Sequence, residues 1–149
     1  MSGLGRSFMY ALRGVRAALD ERNMRVHICF AFYVTIAGFV TELSKLEWIA
    51  VLLSIALVIS AECLNTALET VCDALHPGRH SAIGRAKDIA AGGTLVCAVA
   101  ACIVGGIVFF NSEKVGRAMS FAAGNPILAL CILLPLPAFL IWILGRKKK

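Results

Sequence analysis

The sequence predicts an all-α integral membrane protein, and three observations carry that reading. Hydrophobic residues make up 59% of the chain and charged ones 16%, with a mean hydropathy of +0.81. A soluble domain carries about a quarter charged residues. The apolar residues fall in four long runs free of Asp, Glu, Lys and Arg, which is how membrane-crossing helices read. The basic residues gather at alternate ends of those runs, the asymmetry that orients such helices. The expected organisation is an N-terminal amphipathic surface helix (residues 1–22), a core of three transmembrane helices (23–112), and a C-terminal extension (113–149) with a fourth transmembrane helix and a basic tail.

Each element has its own justification. Over residues 4–19, Leu4, Phe8, Leu12, Val15 and Leu19 fall within about 80° at ~100° per residue, with Arg6, Arg13 and Arg16 opposite. A basic amphipathic helix of this kind lies in the membrane interface, apolar face down. Residues 26–41 form the first uncharged run, 16 residues long, which flanking residues can extend toward the ~20 needed to cross. A polar connection, residues 41–47, follows. The second span is expected from Trp48 to Leu75, uncharged for 14 residues and then carrying Glu62, Glu69 and Asp73. A helix of this length is roughly 40 Å long and overshoots a ~30 Å hydrocarbon core, so its far end projects into water. His76, Pro77 and Gly78 end it, since Pro cannot continue a helix and Gly permits the turn. The third span covers residues 89–112, 24 residues without a charge. Ala90, Ala91, Gly92 and Gly93 let another helix approach it closely. Residues 111–117 and a short linker lead to the fourth span, residues 127–144, which Pro135 and Pro137 are expected to kink.

The basic residues set the orientation. With the N-terminus in the cytoplasm and four crossings, twelve of the 15 Lys and Arg residues fall inside, leaving only Lys45, Lys114 and Arg117 outside. The positive-inside rule therefore favours both termini in the cytoplasm. The net charge of +6 is read as this membrane asymmetry, and no nucleic-acid partner is expected. The six cysteines form no CxxC pair and read as buried reduced thiols. The N-terminus lacks the unbroken apolar core of a cleavable signal peptide.

The segment that a membrane anchor does not need is residues 62–88. Glu62, Asn65, Glu69 and Asp73 lie within about 80° of one another on a helix, forming one acidic stripe. Ionisable groups in a spanning helix usually face a protein interior or a polar cavity. Three readings stand: the solvated end of an overlong helix, hydrogen-bonded glue between helices, or a site for cation-assisted chemistry. Carboxylates suit Mg²⁺, which takes oxygen ligands and shares them with substrate phosphates. Lys87 can neutralise phosphate charge. Asp88 can fix a metal-bound water, a ribose hydroxyl or Lys87 itself. A snorkelling lysine with a helix-starting acid is the plainer account of that pair. By pattern alone, Glu21 is a solvated charge beside Arg22 or Arg25. No GxxxxGK[ST] phosphate loop exists, so any kinase chemistry must be built without the common nucleotide folds.

The motif from Glu62 through Asn65 and Glu69 to Asp73, followed by His80 and then by Gly84 to Asp88, resembles the small integral-membrane diacylglycerol kinase family of bacteria. That family includes the undecaprenol kinases of Gram-positive organisms. The resemblance covers roughly residues 6–110, and the stretch from Gly14 to Arg25 fits it as well. It implies an ATP- and Mg²⁺-dependent lipid kinase. It also implies roles: Glu62 as the base that takes the proton from a lipid hydroxyl, and Glu21 and Glu69 as metal-holding acids. Tyr10, Glu21, Glu69, Arg79, His80, Lys87 and Asp88 would surround the nucleotide, with Asn65 and Asp73 at the reaction centre. Homotrimers with sites between subunits are implied too, in a bacterial cytoplasmic membrane with the active site on the cytoplasmic side. The stretch from Glu21 to His27 looks more like the undecaprenol-kinase branch, with diacylglycerol as the alternative acceptor. A non-catalytic scaffold or ion-conducting oligomer is the reading of a different class. No second His-Arg-Asp constellation supports a lipid phosphatase. The fourth span departs from the family pattern.

Overall fold

The computed structural model describes residues 3–76, 78 and 80–145. Seven helices follow one another among these residues, and no strand. They are α1 (Gly3–Ala18), α2 (Arg22–Val40), α3 (Lys45–Leu75), α4 (Ser81–Phe109), α5 (Ser112–Gly124), α6 (Pro126–Leu133) and α7 (Pro135–Leu144). Helices α2, α3, α4 and the α6–α7 pair are long and apolar enough to cross a membrane. Their apolar side chains mostly point outward: Phe30, Leu53, Leu57, Leu64, Val96 and Ile107 are all exposed. A patch of that extent is untenable in water and ordinary in lipid. The protein is an all-α integral membrane protein.

Helix α1 buries only Ala18, while Leu4, Phe8, Leu12 and Val15 are exposed along it, as an interfacial helix requires. A turn over residues 19–21 then leads into α2, with Glu21 extended at its N-cap position. Helix α3 starts on a capping box. Ser44 Oγ accepts from the Glu47 N–H, and the Glu47 carboxylate accepts from the Ser44 N–H at 2.7 Å, which satisfies two of the donors a helix start leaves open.

Helices α3 and α4 form an antiparallel hairpin with the most extensive contact in the chain. Val51 packs with Val108 near one end, and Asp73 pairs with Lys87 near the other. Helix α2 leans on the far end of α3 where Gly38 admits the Trp48 ring. A Cβ at Gly38 would lie 2.7 Å from Trp48 Cη2, too close for any other residue without displacement.

Two expectations are corrected here. In place of the expected connection over residues 111–117 and a short linker, Ser112–Gly124 form a helix, α5, capped by Asn111, whose side-chain oxygen accepts from the Lys114 N–H at 2.9 Å. The spacing missed it because its interior face is organised around charge rather than an apolar stripe. Lys114 is 6% exposed and donates to Thr41 O, Glu42 O and the Glu47 carboxylate. The third span, α4, begins eight residues before its uncharged run, at Ser81, so Lys87 and Asp88 lie inside it rather than ahead of it. The interruption expected in the fourth span falls at Leu134, which divides it into α6 and α7, with Pro126 and Pro135 each in a first turn, where a missing N–H costs least.

Candidate functional site

The site grows from the overlong end of α3. Measured from Lys45 at ~1.5 Å per residue, Glu62 lies about 26 Å along the helix, near the edge of a ~30 Å hydrocarbon layer, while Glu69 and Asp73 lie beyond it. Burial follows the same order. Glu62 is 2% exposed and Asn65 5%; Glu69 is half-buried and Asp73 exposed. One stripe thus runs from a dry end to a wet end.

The dry end opens on a cavity of about 90 Å³ lined by Glu21, Arg22, Asn23, Glu62, Asn65, Thr66 and Glu69. The α1–α2 turn with the first residues of α2 forms one side and α3 the other. Expected residues Glu21, Glu62, Asn65 and Glu69 are therefore brought together, although 41 positions separate Glu21 from Glu62 in the sequence. Asn65 Nδ2 donates to Glu69 Oε1 at 3.3 Å, which ties the two neighbours on the stripe. Glu62 Oε2, Asn65 Oδ1 and Thr66 Oγ1 are buried without a hydrogen-bond partner. Thr94, buried on α4, carries a further hydroxyl without a hydrogen-bond partner. Buried polar atoms are normally paired, and orphans concentrate where something else binds.

The donor set fits Mg²⁺. Its oxygen donors are three carboxylates, the amides of Asn23 and Asn65 and the Thr66 hydroxyl, around a space of about 90 Å³ that the Arg22 guanidinium also borders. Among the described residues no three Asp, Glu, His or Cys side chains already converge as a metal cage. Mg²⁺ rarely uses such a cage, keeping waters and taking substrate phosphates as ligands.

The remaining expected residues lie elsewhere. Lys87 Nζ is 2.6 Å from Asp73 Oδ1, so Asp73 faces the α4 lysine rather than the cavity, and Lys87 pairs with Asp73 rather than with its neighbour Asp88. Asp88 is exposed. His80 occupies the N-cap position of α4 and stacks on His76, with ring centroids 5.3 Å apart. Tyr10 is exposed on α1, with the Arg13 guanidinium 5.8 Å from its ring. Arg79 lies outside the described residues. The sequence reading missed Asn23 and Thr66. Thr66 had a signal, since it stands one turn from Glu62 on the acidic face. Asn23 had none, because only the fold brings the α1–α2 turn against α3.

The profile of the prokaryotic diacylglycerol kinase family matches residues 9–109. The undecaprenol kinase of Bacillus subtilis (strain 168) is 42% identical over 105 residues, covering 70% of this chain and 85% of that protein. The diacylglycerol kinase of Haemophilus influenzae is 37% identical over 110 residues, covering 70% and 90%. That of Synechocystis sp. is 40% identical over 102 residues, covering 67% and 58%. No solved structure matches the chain. The matched segment contains the α1–α2 turn, the whole acidic stripe and the Lys87–Asp88 pair, and ends at α4. The chain belongs to the prokaryotic diacylglycerol kinase family and is a membrane lipid kinase.

Proposed function

We propose that the chain phosphorylates undecaprenol, using ATP and Mg²⁺ at the cavity between the α1–α2 turn and α3. The observation that carries this is the pair of orphaned buried oxygens, Glu62 Oε2 and Asn65 Oδ1, on a cavity shared with Glu21 and Glu69. Undecaprenol is favoured by the identity to the Bacillus protein of that name. Diacylglycerol is the second reading, supported by the Haemophilus and Synechocystis relatives.

Phosphoryl transfer asks an enzyme mainly for positioning and charge neutralisation. Glu62, at the dry end, takes the proton from the lipid hydroxyl as that oxygen bonds to the γ-phosphorus. The bond from the γ-phosphorus to its bridging oxygen breaks, and ADP leaves. Bound Mg²⁺ would neutralise the β- and γ-phosphate oxygens. Glu21 and Glu69 are the residues that would hold it, and Asn65 keeps Glu69 oriented through its amide. Arg22 supplies a cation at the same cavity. Lys87 and Asp88, with Tyr10, Arg79 and His80, take the nucleotide. Asp73 positions Lys87 through their ion pair.

The basic residues favour placing this end in the cytoplasm. Division into a surface helix, a three-helix kinase core and an extension is the corresponding domain reading. Tyr10, His80 and Asp88 do not line the cavity within one chain; in the homotrimer that the family resemblance implies, a neighbouring subunit would complete each site. The experiment is transfer of label from radiolabelled ATP by purified protein in mixed micelles, offering undecaprenol and diacylglycerol separately, with and without Mg²⁺. Label in undecaprenol, absent without Mg²⁺, is the expected result. Label in diacylglycerol alone would replace the acceptor, and label in neither would defeat the proposal.

A further inference from the structure

The family match ends at residue 109, yet the extension beyond it reaches back to the site through one side chain. Arg25, on the first turn of α2, is 9% exposed. Its guanidinium donates to four backbone carbonyls. Two belong to the turn before α2: Nη2 donates to Asp20 O at 3.1 Å and Nε to Glu21 O at 3.4 Å. Two belong to the end of α7: Nη1 donates to Trp142 O and, at 3.1 Å, to Gly145 O. The guanidinium also lies 5.9 Å from the Trp142 ring. Above it, Phe139 of α7 packs on Phe32 and Tyr33 of α2, with centroids 5.4 and 6.0 Å apart.

The chemistry explains why arginine stands there. The last carbonyls of a helix have no partner within it, and near lipid an unpaired carbonyl is costly. A cation is also favoured at a helix C-terminus. Only a planar fork of five donors can serve two such carbonyls and two from another segment at once. The second segment is the turn that carries Glu21. Glu21 takes an extended conformation at the N-cap position of α2. Its backbone is held by the Arg25 fork.

We infer that Arg25 is a positioning residue through which the docked fourth span fixes the Glu21 turn, and with it the metal-binding geometry of the cavity. The extension thereby acts on the reaction without touching substrate. The inference rests on the reading of Glu21 as a metal-holding acid. Loss of a residue that orients a metal ligand typically weakens metal affinity about tenfold or more. The effect belongs on metal affinity, because the hydrogen bonds of the Arg25 guanidinium go to the Glu21 turn and the end of α7 and not to Glu62.

The test uses the full-length protein in detergent micelles and Mn²⁺ as a paramagnetic probe of the site. Free Mn²⁺ is read by electron paramagnetic resonance in the presence of ATP, and the Mg²⁺ concentration for half-maximal turnover is measured in parallel. The variants are R25Q, R25K, the double variant F139A/W142A, which loosens α7 while leaving Arg25 in place, and E21Q. Wild-type assembly and kcat at saturating Mg²⁺, with Mn²⁺ affinity and Mg²⁺ half-saturation both weakened about tenfold in R25Q and F139A/W142A, is the expected result. R25K should fall between, keeping the charge but losing the fork. If R25Q fails to assemble, F139A/W142A decides alone. Wild-type Mn²⁺ affinity in F139A/W142A, with E21Q weakened, would overturn the inference and leave the reading of Glu21 intact. Wild-type Mn²⁺ affinity in E21Q would overturn both.

Discussion

Replacing Glu62 with Gln isolates the chemical role from the structural one. Glutamine keeps the length, the volume and one carbonyl oxygen, and removes the negative charge and the basicity. The side chain is 2% exposed and Oε2 has no partner, so no solvent stands ready to replace the lost base and no ion pair is broken. General-base catalysis contributes about 10²–10⁴-fold, or roughly 2.7–5.4 kcal/mol on the barrier at ~1.36 kcal/mol per tenfold. Turnover should fall by that factor. Stability should change by less than about 1 kcal/mol, since the substitution opens no cavity. The Mg²⁺ requirement should persist, because Glu21 and Glu69 remain. The assay is initial-rate label transfer in mixed micelles, with thermal unfolding and size-exclusion chromatography on the same preparations. A variant that keeps more than about a tenth of wild-type turnover would refute Glu62 as the base. Loss of assembly together with turnover would make Glu62 a structural residue instead. Glu62→Leu sharpens the contrast: removing a buried, unpaired carboxylate oxygen is neutral or stabilising, so this variant should fold at least as well and be inactive.

Other outcomes follow from other parts of the structure. Gly38→Ala should cost about 1–3 kcal/mol, read by thermal unfolding, because the new Cβ meets the Trp48 ring at 2.7 Å and Leu43 Cδ1 at 3.1 Å. Lys114→Met leaves Thr41 O, Glu42 O and the Glu47 carboxylate without their shared donor and should cost about 2–4 kcal/mol. Its turnover at low temperature should stay near wild type, since Glu47 and Glu62 are about 22 Å apart along α3. Lys87→Gln should raise the KM for ATP roughly tenfold to a hundredfold, the worth of a hydrogen bond to a charged group, with little change in unfolding temperature because its bond to the 69%-exposed Asp73 is a surface pair. Chelation with EDTA should abolish turnover, and Mg²⁺ should restore it, with the size-exclusion profile unchanged throughout.

The sequence by itself determined the membrane class, the four spans and the acidic stripe. Those features are local: an uncharged run must be buried in lipid wherever it sits, and Glu62, Asn65, Glu69 and Asp73 share a face because a helix repeats every ~3.6 residues. Only the tertiary structure decided which of those residues meet. By pattern alone Glu21 is a solvated charge, singled out only by the family resemblance, and Asn23 carries no signal at all; the fold sets both against α3. Asp73 belongs to the stripe by spacing, yet the antiparallel register of α3 and α4 turns it toward Lys87. Helix α5 escaped notice because a buried lysine reads as a loop charge until its acceptors, the carbonyls at the end of α2, come into view. Arg25 counted only as one more cytoplasmic charge, and its partners at Trp142 and Gly145 lie 117 and 120 positions away. Periodicity reports what a residue does within its own helix. Contacts between helices depend on how the chain closes, and no spacing along the sequence records them.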